Sequence, residues 1–340
     1  MITRRTFAAA GLAGASLAAC GKSPGAQGDG GRGEIRFSVL SVEGSQSMEQ
    51  YWRPILADME TATGLKVTPY FSGNYTLLIE AMKFKKTDAG WFSNQSGLEA
   101  VRRANGEVFA RTFDPSGVDG YKSVIIVPAK SRTTLDQLLK CDKTLTFGLG
   151  DAISTSGTLA PMTYLFAPKG IDPATCFKRL RTGSNHQANL FAVANGQLDA
   201  ATNNTTSLKL NHEKGRPEAD AVRVIWQSPP LPEDPIIWRK DLDPAVKEKL
   251  RQFFLTYGQG TTPEAAIQRG HMAKVNVGGF KPADDSHLLP VREMEATEQW
   301  LLAKKSGDAA KIAAAKINLD GITAQRVALE ARTRAPAAAQ

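Results

Sequence analysis

Two α/β lobes facing each other across a cleft is the fold class this sequence predicts, and three observations predict it. The chain has 340 residues, more than one ordinary domain of about 150 residues accommodates. From Glu34 onward, short apolar runs alternate with longer amphipathic stretches, the pattern of strands alternating with helices. The segments SVIIVPA (123–129) and VIWQSPPLPEDPIIW (224–238) are extended, apolar and punctuated by proline, which suits two chain crossings between lobes. The first lobe is then discontinuous, residues 34–122 plus 235–330, and residues 123–234 form the second. Two crossings make a hinge, and a hinge serves closure over a ligand.

Composition narrows the function. With 42% hydrophobic and 22% charged residues, 30 Gly and 18 Pro, the chain matches a soluble globular protein and not a disordered or collagenous one. It holds no apolar run of about eighteen residues, the length a spanning helix requires. The formal charge of +8 comes from basic residues scattered along the chain. No zinc knuckle, recognition helix or aromatic RNA-binding motif accompanies them, so no nucleic-acid partner is expected. His186, His212, His271 and His287 are well separated and form no HExxH pair, so no metal site is expected.

At the start of the chain, Arg4 and Arg5 precede an apolar, small-residue stretch over 7–19, and no acidic residue occurs before Asp29. Residues 1–19 therefore read as an export signal. Thr3-Arg4-Arg5-Thr6-Phe7 resembles a twin-arginine signal, but an ordinary secretory signal carries similar charges and both routes stay open. Leu17-Ala18-Ala19-Cys20 resembles the lipobox of bacterial lipoproteins, which implies that Cys20 becomes the acylated first residue of the mature chain. Residues 20–33 are glycine-rich and read as a flexible tether of about 20 Å reach. The body is thus expected in the periplasm, lipid-anchored to a bacterial membrane after export. In that oxidising compartment Cys141 and Cys176 are allowed to pair; a disulfide and two buried thiols both stay open.

Along the body, strands are predicted at IRFSVL, LKVTPYF, DAGWFS, SVIIVPA, TLTFGLG, FKRLRTG, VRVIWQS and DPIIWRK. Helices are predicted at 48–63, 75–84, 98–104, 134–139, 158–167 and 188–195. Such alternation favours largely parallel sheets. Beyond Pro244 the pattern is mainly helical, and 331–340 reads as a frayed tail.

The sharpest local signal is LTFGLGD (145–151), a strand running into a glycine turn, followed by Ser154-Thr155-Ser156-Gly157 at the start of a helix. A helix start presents unpaired N–H groups and about half a positive charge, and hydroxyls there add rotatable donors. Pro161 is tolerated only near a first turn, which places the start at about residue 155. Taken alone, the stretch reads as simple helix capping in preference to an anion site.

Seven stretches in one order go further: NYTLLIEAMKFKKTDAGWFSN, EAVRRANGEVFA, GYKSVIIV, LTFGLGDAISTSG, ATNNTTSL, VIWQSPPLPEDPIIWRK and FFLTYG. Over about 75–257 the chain resembles the phosphonate-binding proteins that feed ABC importers. The resemblance implies a type II periplasmic binding protein-like fold, with two α/β lobes joined by two extended hinge crossings and the ligand in the cleft between them. It also implies a small phosphonate as ligand, a membrane permease and ATPase complex as partner, and no cofactor.

Carried over by position, Ser154, Thr155 and Ser156 would hold phosphonate oxygens through hydroxyls and helix-end amides, and Tyr75 and Tyr121 would add phenolic donors from the opposite lobe. His186, in RTGSNH, matches the family's ligand-facing histidine. As an imidazolium it would donate from either ring nitrogen, so binding is expected to weaken as pH rises through its titration. Asp234, in LPEDP, matches a family carboxylate at the cleft. Thr206 departs from the family: members that prefer 2-aminoethylphosphonate carry an acid there that helps hold the ammonium group. The aminoethyl ligand is thereby put in doubt, in favour of a smaller or differently charged substituent. Trp91 and Phe92 suit either a pocket wall or the core.

Hydroxyls, a histidine and an aspartate could also serve phosphoester hydrolysis as nucleophile, base and orienter. The chain nevertheless has no GxSxG elbow, no P-loop and no acid–histidine cluster spaced for metal ions. The expected protein is a carrier without catalytic residues. A receptor for phosphite, phosphate or another small oxoanion is the alternative within the same family.

Overall fold

The computed structural model describes residues 33–334. The expected export signal, the lipidation site Cys20, the tether up to residue 32, and residues 335–340 lie outside them.

Eleven strands build two sheets. The six-stranded sheet contains β1 (Glu34–Leu40), β2 (Lys66–Ser72), β3 (Ala89–Trp91), β4 (Gly106–Phe113), β10 (Pro235–Arg239) and β11 (Gly279–Pro282), in the order β11-β4-β10-β3-β1-β2. The five-stranded sheet contains β5 (Ser123–Pro128), β6 (Thr146–Gly150), β7 (Arg179–Ser184), β8 (Ala200–Asn204) and β9 (Val222–Gln227), in the order β7-β6-β8-β5-β9.

These sheets are mixed and not largely parallel. β1 pairs in parallel with β2 and β3, and β6 with β7 and β8, whereas β5 and β10 run antiparallel to both of their neighbours. The crossings are the cause. The chain leaves one sheet at the carboxyl end of its parallel strands and enters the other sheet from that same cleft side, so the first strand after each crossing must run away from the cleft.

The crossings are residues 114–122 and 228–234. They lie side by side, the Tyr121 N–H donating to the Leu231 carbonyl at 3.1 Å and the Leu231 N–H to the Tyr121 carbonyl at 2.7 Å. The segment 123–129, expected as a crossing, instead forms β5 (Ser123–Pro128), an interior strand between β8 and β9. Its apolar residues face both ways: Val124 and Ile126 pack with Leu190, Val193 and Leu198 on one side, and Ile125 and Val127 with Phe147, Leu165 and Phe166 on the other. A strand buried on both faces reads as an unbroken apolar run, which from sequence looks the same as an extended connector.

An aromatic seam fills the first lobe. Phe37 stacks on Trp52 and Phe254, Trp52 on Trp91, and Trp238 on Phe109 with ring centroids 3.9 Å apart. Each such pair contributes about 0.5–1.5 kcal/mol beyond its buried area. Helix Leu289–Ser306 packs on helix Asn94–Arg103 of the first lobe and on the helical segments over 155–169 of the second, and helix Ala309–Arg334 folds back along it. Residues 331–334, expected as part of a frayed tail, belong to that last helix.

Cys141 and Cys176 form a disulfide across 35 residues of the second lobe, which settles the alternatives in favour of pairing. Closing a loop of this length in the unfolded chain stabilises the fold by about 4 kcal/mol in the chain-entropy description. The double variant C141S/C176S is therefore expected to show a clearly lower thermal midpoint than the oxidised wild type. An unchanged midpoint would show that the unfolded chain is not what the bond restrains.

Candidate functional site

Strand ends run directly into helix starts on the cleft side, and five of these starts carry a capping side chain. Asn74 Oδ1 accepts the Leu77 N–H at the head of helix Tyr75–Lys83, and Ser93 caps helix Asn94–Arg103 through the Ser96 N–H. In the second lobe, Ser154 Oγ accepts the Gly157 N–H at 3.0 Å, Asn185 Oδ1 the Ala188 N–H at 2.8 Å and Asn204 Oδ1 the Ser207 N–H at 2.6 Å. These caps begin the helical stretch at Thr155, helix His186–Ala194 and helix Thr205–Glu213. All of these helices open toward one cavity of about 50 Å³, lined among others by Tyr75, Ser93, Ser154, Ser156, His186, Asn204 and Thr206. Convergent helix starts give it a positive potential, although no Lys or Arg stands among its described lining residues.

The helix after β6 needs glycine at two facing positions. A Cβ on Gly150 would sit 2.7 Å from the Gly157 Cα, and one on Gly157 would sit 2.8 Å from the Ser154 Oγ. Only bare backbone lets the strand end and the helix start approach this closely. The first turn is wound as a π-helix over Thr155–Leu159, with the Ala160 N–H reaching back to the Thr155 carbonyl, ahead of Pro161, which has no N–H to donate.

Ser156 is the hub. Its Oγ lies 3.2 Å from His186 Nε2 and accepts the Asn204 Nδ2–H at 3.1 Å, and its carbonyl accepts the Ser123 hydroxyl at 2.6 Å. The Tyr121 phenol sits beside Ser156, and that of Tyr75 beside Ser154. Burial, reinforced by the nearby Asp234, pushes both phenols above their usual range, so they remain protonated donors.

His186 behaves differently from the sequence expectation. Burial pushes it down to about 4, so near neutral pH it offers one donor and one acceptor and no charge. Burial thus disfavours the imidazolium expected from sequence.

The charged groups lining the cavity are acids: Glu43, Glu233 and Asp234. Asp234 ends the second crossing, where its backbone carbonyl accepts the Thr112 N–H at 2.9 Å and its Oδ1 lies 3.4 Å from Asn94 Nδ2. Burial, with Glu233 alongside, raises it well above the usual carboxyl range. Glu233 is pushed up to about 7 by burial and by Asp114. A raised pKa favours the protonated form of Asp234, in which it can donate to an anion.

Of the residues named from sequence, Tyr75, Tyr121, Ser154, Ser156, His186, Thr206 and Asp234 all line this cavity. Thr155 does not: it is fully buried, and its Oγ1 accepts the Gln95 N–H of the opposite lobe at 2.8 Å. Trp91 lines the cavity, while Phe92 is core. Sequence reasoning missed Ser93, Asn204, Thr112, Asn276 and Glu43. Ser93 and Asn204 were within reach, since each is a capping residue type ending a strand before a helix. Glu43 carried no such signal, because its partners are remote in sequence.

Comparison with known proteins agrees with this geometry. A family model described as ABC transporter, phosphonate, periplasmic substrate-binding protein matches residues 37–288. The phosphonates-binding periplasmic protein of Escherichia coli strain K12 is 41% identical over 261 residues, 76% of this chain and 75% of that one. Among solved structures, the binding-protein component of an ABC phosphonate transporter from Pseudomonas aeruginosa superposes with a TM-score of 0.79 at 38% identity, covering 88% of this chain and 97% of that one. A Prochlorococcus marinus protein solved in complex with methylphosphonate shares the fold, with a TM-score of 0.67 at 19% identity over 78% of this chain and 97% of its own.

Proposed function

Because this chain belongs to the periplasmic phosphonate-binding proteins of ABC importers, we propose that its cleft takes a compact phosphonate with an uncharged substituent. The protein is the substrate-binding component of a phosphonate ABC transporter, a periplasmic carrier and not an enzyme. In our reading, Ser154 and Ser156 with the helix-start amides, the Tyr75 and Tyr121 phenols, neutral His186 and protonated Asp234 surround the phosphonate oxygens. The lobes, residues 34–122 plus 235–330 and residues 123–234, close on it about the two crossings. The loaded carrier then docks on a membrane permease and ATPase complex, tethered meanwhile by a lipid on Cys20.

The observation that carries the substituent is the state of the acids. Burial favours the protonated form of Asp234 and holds Glu233 at about 7, Thr206 is neutral, and the Glu43 carboxylate is engaged by Ser207 and Asn211. Below about pH 7 an ammonium group would enter without a free counter-charge. A missing charge-assisted hydrogen bond costs about 1.5–3 kcal/mol, roughly 10- to 100-fold in affinity.

Calorimetric titration of the purified protein with methylphosphonate, 2-aminoethylphosphonate, phosphite and phosphate tests this. Methylphosphonate is expected to bind at least about 10-fold tighter than the aminoethyl compound. A preference for the aminoethyl compound would refute the substituent, and tighter phosphite or phosphate would transfer the site to simple oxoanions.

A further inference from the structure

We infer that Glu43 is a clasp residue: its carboxylate reaches from the first lobe into the second and holds the cleft shut by grasping the helix that begins beside Thr206. Glu43 follows β1 and is 2% exposed. Its Oε1 accepts the Ser207 hydroxyl at 2.8 Å, and both carboxylate oxygens lie 3.1 Å from Asn211 Nδ2. Ser207 and Asn211 stand one turn apart on helix Thr205–Glu213, so a single carboxylate meets both donors on one helix face.

The neighbouring backbone continues the grip. The Val42 carbonyl accepts the His186 N–H at 3.1 Å, the Glu43 carbonyl accepts Asn185 Nδ2–H at 3.1 Å, and the Gly44 N–H donates to Gln187 Oε1 at 2.8 Å. Residues 42–44 thus hold the starts of the two helices that carry His186 and Thr206. Burial raises Glu43 above the usual carboxyl value, while the Ser207 and Asn211 bonds and the charges of Lys214, which lies over the Tyr51 ring, and Arg216 oppose that rise. None of these bonds includes a ligand atom. Each forms only when the lobes meet, so each adds to the free energy of closure and slows ligand escape without touching the ligand.

This inference rests on the reading of the cleft as the phosphonate site, and the test separates the two. Glu43 itself lines the cavity, whereas Asn211 does not. Binding and release of methylphosphonate would be measured by calorimetry and stopped flow for wild type, E43A, E43Q, N211A and E43A/N211A, with thermal midpoints to establish folding. E43A and N211A are each expected to weaken binding about 10-fold, mainly through faster release. The double variant should be no weaker than E43A, because both remove the same contact. E43Q keeps an acceptor for both donors and should recover most of the affinity. X-ray scattering of ligand-free E43A should show a larger radius of gyration than wild type. Full effect in E43A with none in N211A would mean that Glu43 acts on the ligand directly and would overturn the clasp, as would additive effects or E43Q behaving like E43A. Failure of the wild type to bind any phosphonate would instead overturn the reading of the cleft.

Discussion

Replacing Ser156 by alanine is expected to weaken phosphonate binding by about 100-fold while leaving the protein folded. Its hydroxyl, 2% exposed, meets His186 Nε2 and Asn204 Nδ2 and lies beside the Tyr121 phenol. Truncation would remove one donor to the anion and leave buried polar neighbours short of a partner. A hydrogen bond to a charged group contributes about 1.5–3 kcal/mol and an orphaned buried group costs about 1–3 kcal/mol. A combined loss near 3 kcal/mol corresponds to about two orders of magnitude in Kd. Ser154→Ala should behave otherwise. Its hydroxyl caps the helix through the Gly157 N–H, so the variant should lose about 1 kcal/mol of stability as well as affinity. Calorimetry and thermal melting distinguish the two. An S156A protein that binds within about threefold of wild type, less than the loss of one such bond, would remove the hydroxyl from the ligand's shell.

The second large effect is that of pH, and its source is the acid pair at the hinge. Glu233 is held at about 7 and Asp234 well above the carboxyl range, chiefly by burial. Glu233 also faces Asp114 and Asp119, which raise it, and Arg111 and the Thr112 hydroxyl, which lower it. Its carbonyl bonds to His287, a ring that burial pushes down to about 4. With its pKa raised to about 7, Glu233 holds a proton at lower pH and loses it as pH rises through 7. Each proton lost turns a donor, or a neutral neighbour, into a negative charge facing the phosphonate. Affinity should therefore fall as pH rises above about 7, by up to about tenfold per pH unit for one linked proton.

Two variants assign the source. E233Q/D234N should flatten the profile to the slope contributed by the phosphonate's own ionisation. His186→Asn should bind more weakly yet keep the wild-type slope, since His186 is neutral across this range. A double variant retaining the full slope would return the effect to another group.

Much of this was legible in the chain before any coordinates. The strand–helix alternation reports the period of two in strands against 3.6 in helices, a property of local backbone geometry. The socket after β6 could be read because Gly150, Ser154 and Gly157 satisfy demands made within a few residues: a capping oxygen and backbone without Cβ. The family resemblance placed Tyr75, Tyr121, His186 and Asp234, which lie far apart in the sequence and line one cavity. Misreadings arose where a local pattern has two uses. The apolar run 123–129 suits a buried central strand as well as a connector, and Thr155 shares its neighbours' chemistry while facing Gln95 across the lobes.

The sequence by itself determined the export-signal reading, the two α/β lobes, the capped helix starts and the residue types available to hold an anion, because each depends on order and spacing along the chain. Only the tertiary structure decided that Cys141 meets Cys176, that burial lowers the His186 pKa and raises that of Asp234, and that Glu43 crosses the cleft. Protonation depends on desolvation and on neighbours brought from remote parts of the chain, and a contact across the cleft depends on closure. Neither is a function of local sequence.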